Sequence, residues 1–314
     1  MAKSPVRPAL VAAAAVAPVL ALLAAAPGAH AAAMAPTALP AQFAAPYLQI
    51  DSSTAKDMAA DQSASGLKNY TLAFLTSKSG CTLQWEDGGD SVGAFSSQIN
   101  AVKSAGGNVI PSFGGAGSKE LAQTCTSVSS LTAAYQKVVS TYGVTRLDFD
   151  IEGDTLANGN ANARRDQALA ALQQADPSVQ IDWTVAVDPD GMESDVTTLL
   201  KNAQSAGVKT SAVNLMTMDF GDGENALADA ESGATAAEKQ FASIYGGSAA
   251  QNWARMGLTP IAGQNDDDED FTQANASTLE SFAASKGVQE LAFWEVDQYD
   301  KPTGYAYSKI FNKI

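Results

Sequence analysis

Three carboxylates alternate with apolar residues in Leu147-Asp148-Phe149-Asp150-Ile151-Glu152. Successive side chains of an extended strand point to opposite faces, so Leu147, Phe149 and Ile151 share one face and Asp148, Asp150 and Glu152 the other. Like charges at that spacing repel, and at least one of the three then holds its proton near neutral pH. A proton-holding acid beside an ionised one is what a hydrolytic site uses. Alternation alone favours a plainer reading, a half-exposed strand with a wet acidic face. The elements around the run decide between a barrel strand with its acids turned inward and that plainer alternative.

Short apolar runs recur at 43–50, 70–75, 108–113, 144–151, 179–187, 212–220, 257–261 and 288–294. Segments with helical character lie between them: 121–142, 162–174, 195–206, 236–245 and 276–286. Gly143, Gly207 and Gly287 stand where helices end before the next run, as C-terminal caps do. Eight strand–helix units predict one (β/α)₈ barrel, an α/β TIM-barrel fold in a single domain spanning 42–314. The rival is an open doubly wound sheet. Gly114-Gly115-Ala116-Gly117 follows a strand, but its spacing is not G-x-G-x-x-G, which speaks against a dinucleotide site. Barrel sites lie at the C-terminal strand ends. Polar and acidic residues gather there: Gln49 and Asp51, Ser112 to Gly115, Glu152, Asp188 and Asp190, Asp219, Gln264 to Asp266, and Trp294 to Asp297. The strand bodies read as apolar apart from the acidic face of the fourth. This pattern favours the inward-facing acids.

Residues 1–31 read as a secretory signal peptide, with basic Lys3 and Arg7, an apolar stretch from Ala9 to Ala26, and the small-x-small site Ala29-His30-Ala31. Export to the extracellular space is the expectation. Residues 32–41 are an Ala/Pro-rich tether. Cleavage after Ala31 removes His30, the only histidine. That excludes a Ser-His-Asp or Cys-His site and histidine-ligated zinc, and leaves acid–base work to Asp, Glu, Tyr or Lys. Cleavage also takes Lys3 and Arg7 but no acid, leaving 17 basic and 34 acidic residues and a formal charge of −17. Such a surface repels nucleic acid and anionic membranes, so a neutral substrate is expected. Cys81 and Cys125 are the only cysteines, and in an exported chain they are expected to pair. Closing that loop stabilises the fold by roughly 4 kcal/mol on the chain-entropy model.

The run Leu147 to Glu152 resembles the D-x-x-D-x-D-x-E motif of family 18 glycoside hydrolases, the chitinases. Ser112-Phe113-Gly114-Gly115 is similar to that family's S-x-G-G. Asn214-Leu215-Met216-Thr217-Met218-Asp219-Phe220-Gly221 lies where its sixth-strand Met/Tyr/Asp motif belongs, and Leu291-Ala292-Phe293-Trp294 resembles its last strand. The closest likeness is to the bacterial and archaeal branch with LDFDIEG and MTMD motifs. The resemblance implies a monomeric hydrolase of β-1,4-linked N-acetylglucosamine polymers that retains configuration through the substrate's own N-acetyl group, an exception to the two-carboxylate scheme. By resemblance, Glu152 is the general acid and base, Asp150 orients the acetamido group, and Asp148 shares a proton with Asp150. Met216, Asp219 and Trp294 are the implied substrate contacts; Tyr47, on the first strand, and Gln264, at the end of the seventh, are further candidates from their positions. No metal or organic cofactor is implied. Two other activities fit the same motifs: an endo-β-N-acetylglucosaminidase cutting N-glycans, and a non-catalytic sugar-binding barrel.

The chain departs from the family pattern at Thr145, Arg146 and Met218, which stand where an Asp, a Gly and a Tyr are common. The first two are expected to affect packing only. Tyr47 is a candidate substitute for the missing sixth-strand hydroxyl. Asp266 to Asp270 reads as a solvated acidic loop, with calcium binding the less favoured alternative. Trp85 and Tyr299 are candidates to stack on outer sugars or to cover apolar patches.

Overall fold

The computed structural model describes residues 1–2 and 38–314, apart from 118, 222, 224 and 225. The chain divides into two compact units, Met1–Ala32 and Ala33–Ile314. The expected leader and most of the tether lie outside the described residues. Everything below concerns the second unit.

The eight apolar runs are parallel strands. The first is interrupted at Pro46 into Phe43–Ala44 and Tyr47–Gln49, and the others are Asn69–Ser79, Asn108–Gly114, Arg146–Asp150, Gln180–Ala186, Thr210–Met216, Met256–Thr259 and Glu290–Leu291. Each pairs with its sequence neighbours. The first strand closes the ring by bonding both ways. Ala45 and Tyr47 donate to Leu291 and Phe293 on one side, while Thr71 donates to Pro46 and Ile50 to Ala73 on the other. A helix follows every strand: Thr54–Ser65, Ser96–Ser104, Val128–Tyr142, Gly159–Ala175, Ser194–Ser205, Ala226–Tyr245, Gln273–Lys286 and Ala306–Phe311. The expected (β/α)₈ barrel is therefore present. Among the described residues no helix is long and apolar enough to cross a membrane.

The helix expected over 121–142 is two pieces, Leu121–Thr124 and Val128–Tyr142, separated at Cys125. Thr54–Ser65 carries no apolar stripe: it buries Ala55 and Met58 beside Asp61 and Ser65, so its inner face is half polar. Gly143 and Gly287 cap their helices in left-handed conformations at φ 58° and 78°.

Outward residues of the fourth strand build the packing between sheet and helices. Leu147, Phe149 and Ile151 are fully buried. The Phe149 ring stacks on Phe113 at 4.9 Å and meets Tyr135 edge-on at 5.1 Å. Burying each such ring stabilises the fold by about 1.5–3 kcal/mol. That packing fixes the register which turns Asp148 and Asp150 inward.

Candidate active site

Asp148 and Asp150 are 3% and 4% exposed inside the barrel, and Glu152, half-buried, stands at its mouth. Gly153 follows at φ 49°, where the strand turns into a short helix. Close approach to the third strand requires glycine there: a Cβ on Gly114 would lie 2.0 Å from the Asp150 carbonyl oxygen. A Cβ on Gly115 would lie 2.7 Å from the Phe74 ring.

Asp148 is held from three strands. Its Oδ2 accepts from Ser112 Oγ at 2.5 Å and Tyr47 OH at 3.2 Å, and its Oδ1 from Thr184 Oγ1 at 2.8 Å. Burial pushes its carboxyl up to about 7, against these bonds, which favour the charge. Asp150 lies between Asp148 and Glu152 on the same face and feels the charge of both, as the strand alternation predicts. Burial, then the charges of Glu152 and Asp148, hold the Asp150 carboxyl well above its ordinary range. Burial raises Glu152 as well. The pair therefore retains a proton at the barrel mouth when a free carboxyl would have lost it. The second oxygen of Asp150, Oδ1, is buried and has no partner.

A cavity of about 410 Å³ opens over the pair. Tyr47, Met216, Asp219 and Trp294, all expected at the site, line it, as does Met218. Trp294 stacks on Phe74 at 5.7 Å with 12° between the rings, which gives the cavity a flat apolar wall. Tyr47 packs against both rings, 5.9 Å from Trp294 and 6.1 Å from Phe74. Its hydroxyl is engaged downward, with Asp148 and, at 2.8 Å, with Thr184. It occupies the floor and does not take up a sixth-strand position. Asp219 sits at φ 51°, and its Oδ1 accepts from the Asp266 amide at 2.8 Å.

Several expectations need correction. Gln264 is turned away from the cavity, because its amide donates to the carbonyls of Asp267 and Glu269 at 2.9 and 2.7 Å; Asp266 lines the wall instead. The acidic run is not uniformly solvated. Glu269 is 3% exposed and accepts from the amides of Phe220 and Gly221, and Asp267 also accepts from Gly221. The run thus ties the seventh-strand loop to the sixth. No cluster of acids, histidines or cysteines among the described residues is arranged to hold a metal ion. Trp85 is a core residue whose indole donates to Tyr142 at 3.0 Å, so it cannot stack on sugar. Tyr299 is partly buried against the core and does not line the cavity. Arg146 does more than pack: it turns inward and pairs with Asp182, reaching Gln289 as well. Cys81 and Cys125 are bonded, joining the turn after the second strand to the end of helix Leu121–Thr124.

The strand bodies are also less apolar than expected. Asn214 donates to Thr184 at 3.2 Å and Tyr47 at 3.4 Å and accepts from Thr259 at 2.7 Å, so that with Ser112 the network around Asp148 joins six strands. Single polar residues at alternate positions of Ser112, Thr184 and Asn214 were the available signal.

Known proteins share this arrangement. Residues 45–298 match the glycosyl hydrolases family 18. The chain is 31% identical over 299 residues to a probable bifunctional chitinase/lysozyme of Escherichia coli, a match covering 88% of this chain and 33% of that protein. It is 30% identical to endochitinase 11 of Metarhizium anisopliae, over 82% of this chain and 53% of the other. The chain thus spans about a third and about half of the lengths of these two relatives. The catalytic domain of the hyperthermophilic chitinase from Pyrococcus furiosus superposes with a TM-score of 0.81 at 30% identity, covering 88% of this chain and 96% of that one. A family match over most of the barrel, carried by a fold whose fourth strand delivers a buried acid pair to the cavity, settles the assignment: the chain belongs to family 18 of the glycoside hydrolases.

Proposed function

We propose that this enzyme is an exported, monomeric chitinase which hydrolyses β-1,4 linkages between N-acetylglucosamine units with retention of configuration. The observation that carries the reading is the Asp150–Glu152 pair, two carboxyls of one strand face that line the cavity together and raise one another's hold on a proton, beneath the apolar wall of Trp294 and Phe74. An N-acetyl group entering beside Asp150 donates its N–H to that carboxylate. Glu152 donates its proton to the glycosidic oxygen as that bond breaks. The acetamido oxygen attacks the anomeric carbon, and Asp150, ionised because it has passed the pair's proton to Glu152, stabilises the cationic ring that forms. Water then enters, Glu152 takes its proton, and a second inversion restores the original anomer. Trp294 and Phe74 offer the flat face on which a pyranose packs.

Two relatives named for chitinase activity support the substrate class. The test compares wild type and Glu152→Gln on N-acetylglucosamine oligosaccharides, with a high-mannose glycopeptide alongside. Expected are oligosaccharide cleavage, a first product of β configuration by NMR, and a loss of about 10²–10⁴-fold in kcat for the variant at unchanged Tm. Cleavage of the glycopeptide alone, or near-normal turnover by the variant, refutes the reading.

A further inference from the structure

Two neighbouring helices of the outer ring, Gly159–Ala175 and Ser194–Ser205, do not close on each other. On the second, Ser194, Thr198, Asn202 and Ser205 follow at helical spacing and form one stripe, with hydroxyls and an amide where an apolar seam would seal the pair. Opposite stand Gly159 and Ala163, too small to fill the gap. A groove of about 500 Å³ results. It runs roughly 18 Å along the second helix, from Ser194 to Ala206. Its upper end lies beside the catalytic rim, where Leu156, a lining residue, donates its amide to the Glu152 carbonyl at 3.2 Å. The groove shares no lining residue with the cavity over the acid pair.

An acid that the fold does not use faces this groove. Asp166 lines it, is 1% exposed, and its Oδ1 has no partner. The cations beside it in the sequence are engaged elsewhere: Arg165 with Glu120 and Asn162, Arg164 with the Ala122 carbonyl. Burial pushes the Asp166 carboxyl up to about 7, opposed by the Arg165 charge. Both protonation states are therefore populated near neutrality, and a hydroxyl suits either, donating to the carboxylate or accepting from the acid. An ammonium suits only the first. Thr198 and Ser205 already donate to the carbonyls of Ser194 and Lys201, so toward a ligand they accept. No Lys or Arg among the described residues lines the groove, which leaves an anion nothing to pair with. Leu156 and Leu199 add apolar surface. An uncharged ring with hydroxyls at its rim and C–H bonds on its faces matches this set. We infer that the groove is a second saccharide site, binding pyranose units of a neutral polysaccharide through Asp166, Thr198 and Asn202 on the barrel's outer flank, separate from the cleft in which bonds break.

The protein carrying Glu152→Gln, which keeps sugars uncut, is titrated calorimetrically with a tetramer of N-acetylglucosamine and, separately, of glucose; the two distinguish the sources of such a chain. Amide hydrogen exchange is followed over 159–175 and 194–206. With at least one tetramer, a binding event additional to the cleft is expected, with slowed exchange in both helices. Asp166→Leu weakens that event about ten- to a hundredfold, and Asn202→Ala, at an exposed position, about two- to tenfold. Gln204→Ala, exposed on the same helix but outside the groove, leaves it unchanged. With Glu152 restored, all three variants cleave the N-acetylglucosamine hexamer at the wild-type rate. Exchange that neither tetramer slows, or slowing undiminished in Asp166→Leu, overturns the inference. So does a response to putrescine and to neither sugar, which makes the groove an amine site. A slower hexamer cleavage in Asp166→Leu also overturns it, because the groove is then not separate from the cleft. Hexamer cleavage by wild type tests the proposed function on its own. Asn202→Ala carries the comparison where Asp166→Leu does not fold.

Discussion

Replacing Arg146 with Met breaks the one ion pair buried in the barrel floor. Arg146 lies two residues below Asp148 on the inward face, and Asp182 stands in register with Asp148 on the fifth strand. Both partners are nearly inaccessible, with side chains 7% and 2% exposed, and Arg146 also lies over the Phe43 ring at 5.1 Å. Breaking a buried pair from one side typically costs about 3–5 kcal/mol, because the remaining charge is left uncompensated. For a domain of this size that corresponds to a Tm lower by about 6–15 °C. The loss must also depend on pH. Burial already raises Asp182, and the Arg146 charge and hydrogen bond are what oppose that rise. Without them Asp182 keeps a proton in the fold that the unfolded chain releases near its ordinary pKa. A carboxyl with a raised folded pKa is unpenalised below its unfolded value, and stability is lost as pH climbs toward the folded one. The deficit of Arg146→Met relative to wild type should therefore be smaller at pH 4.5 than at pH 7.5, growing by up to about 1.4 kcal/mol per pH unit. Urea denaturation at both pH values measures it. Adding Asp182→Asn should restore most of the loss at pH 7.5, since the position that lost its partner then carries no charge. A deficit under about 1 kcal/mol, or one equal at both pH values, refutes the reasoning.

The disulfide and the wild-type pH profile give two further tests. Cys81→Ser with Cys125→Ser opens a loop of 44 residues and should destabilise the fold by about 4 kcal/mol, seen as a lower urea midpoint that reductant reproduces in wild type; an unchanged midpoint contradicts it. Burial raises Asp148 and Asp166 to about 7, so each contributes stability that is full below pH ~4 and lost as pH rises toward 7. Wild-type Tm should consequently fall between pH 5 and pH 7, and a Tm rising over that interval would contradict the assignment.

Much of this architecture was legible because it follows from short-range patterns. The alternation in 147–152 fixed which side chains share a face, and recurrent apolar runs fixed the number of strands. Residues placed by the strand ends, Tyr47, Asp219 and Trp294, do line the cavity. Gln264 was misplaced because a strand end specifies a location and not a rotamer: its amide satisfies two loop carbonyls instead. Of the two roles the sequence leaves open for Trp85, the hairpin selects the apolar one by folding the ring onto Tyr142. Arg146 was taken for packing because nothing local announces its partner; Asp182 lies 36 residues away and meets it only through strand pairing.

Those long-range meetings also explain why the acid pair behaves as it does. The interior gathers Asp148, Asp150, Asp182 and Glu290, each under 5% exposed, against the single cation Arg146. Full ionisation would leave three uncompensated negative charges in a medium that solvates them poorly, so the set must retain protons. Asp182 is matched by Arg146, while Glu290 and Asp150 are pushed well above the ordinary carboxyl range, chiefly by burial. The proton retained by Asp150 and Glu152 thus depends on burial and on Asp148 beneath them as well as on the two residues themselves. The same surplus of acid that lowers stability at neutral pH keeps a proton within reach of the glycosidic oxygen. A barrel relieved of its floor acids should gain stability and hold that proton less firmly.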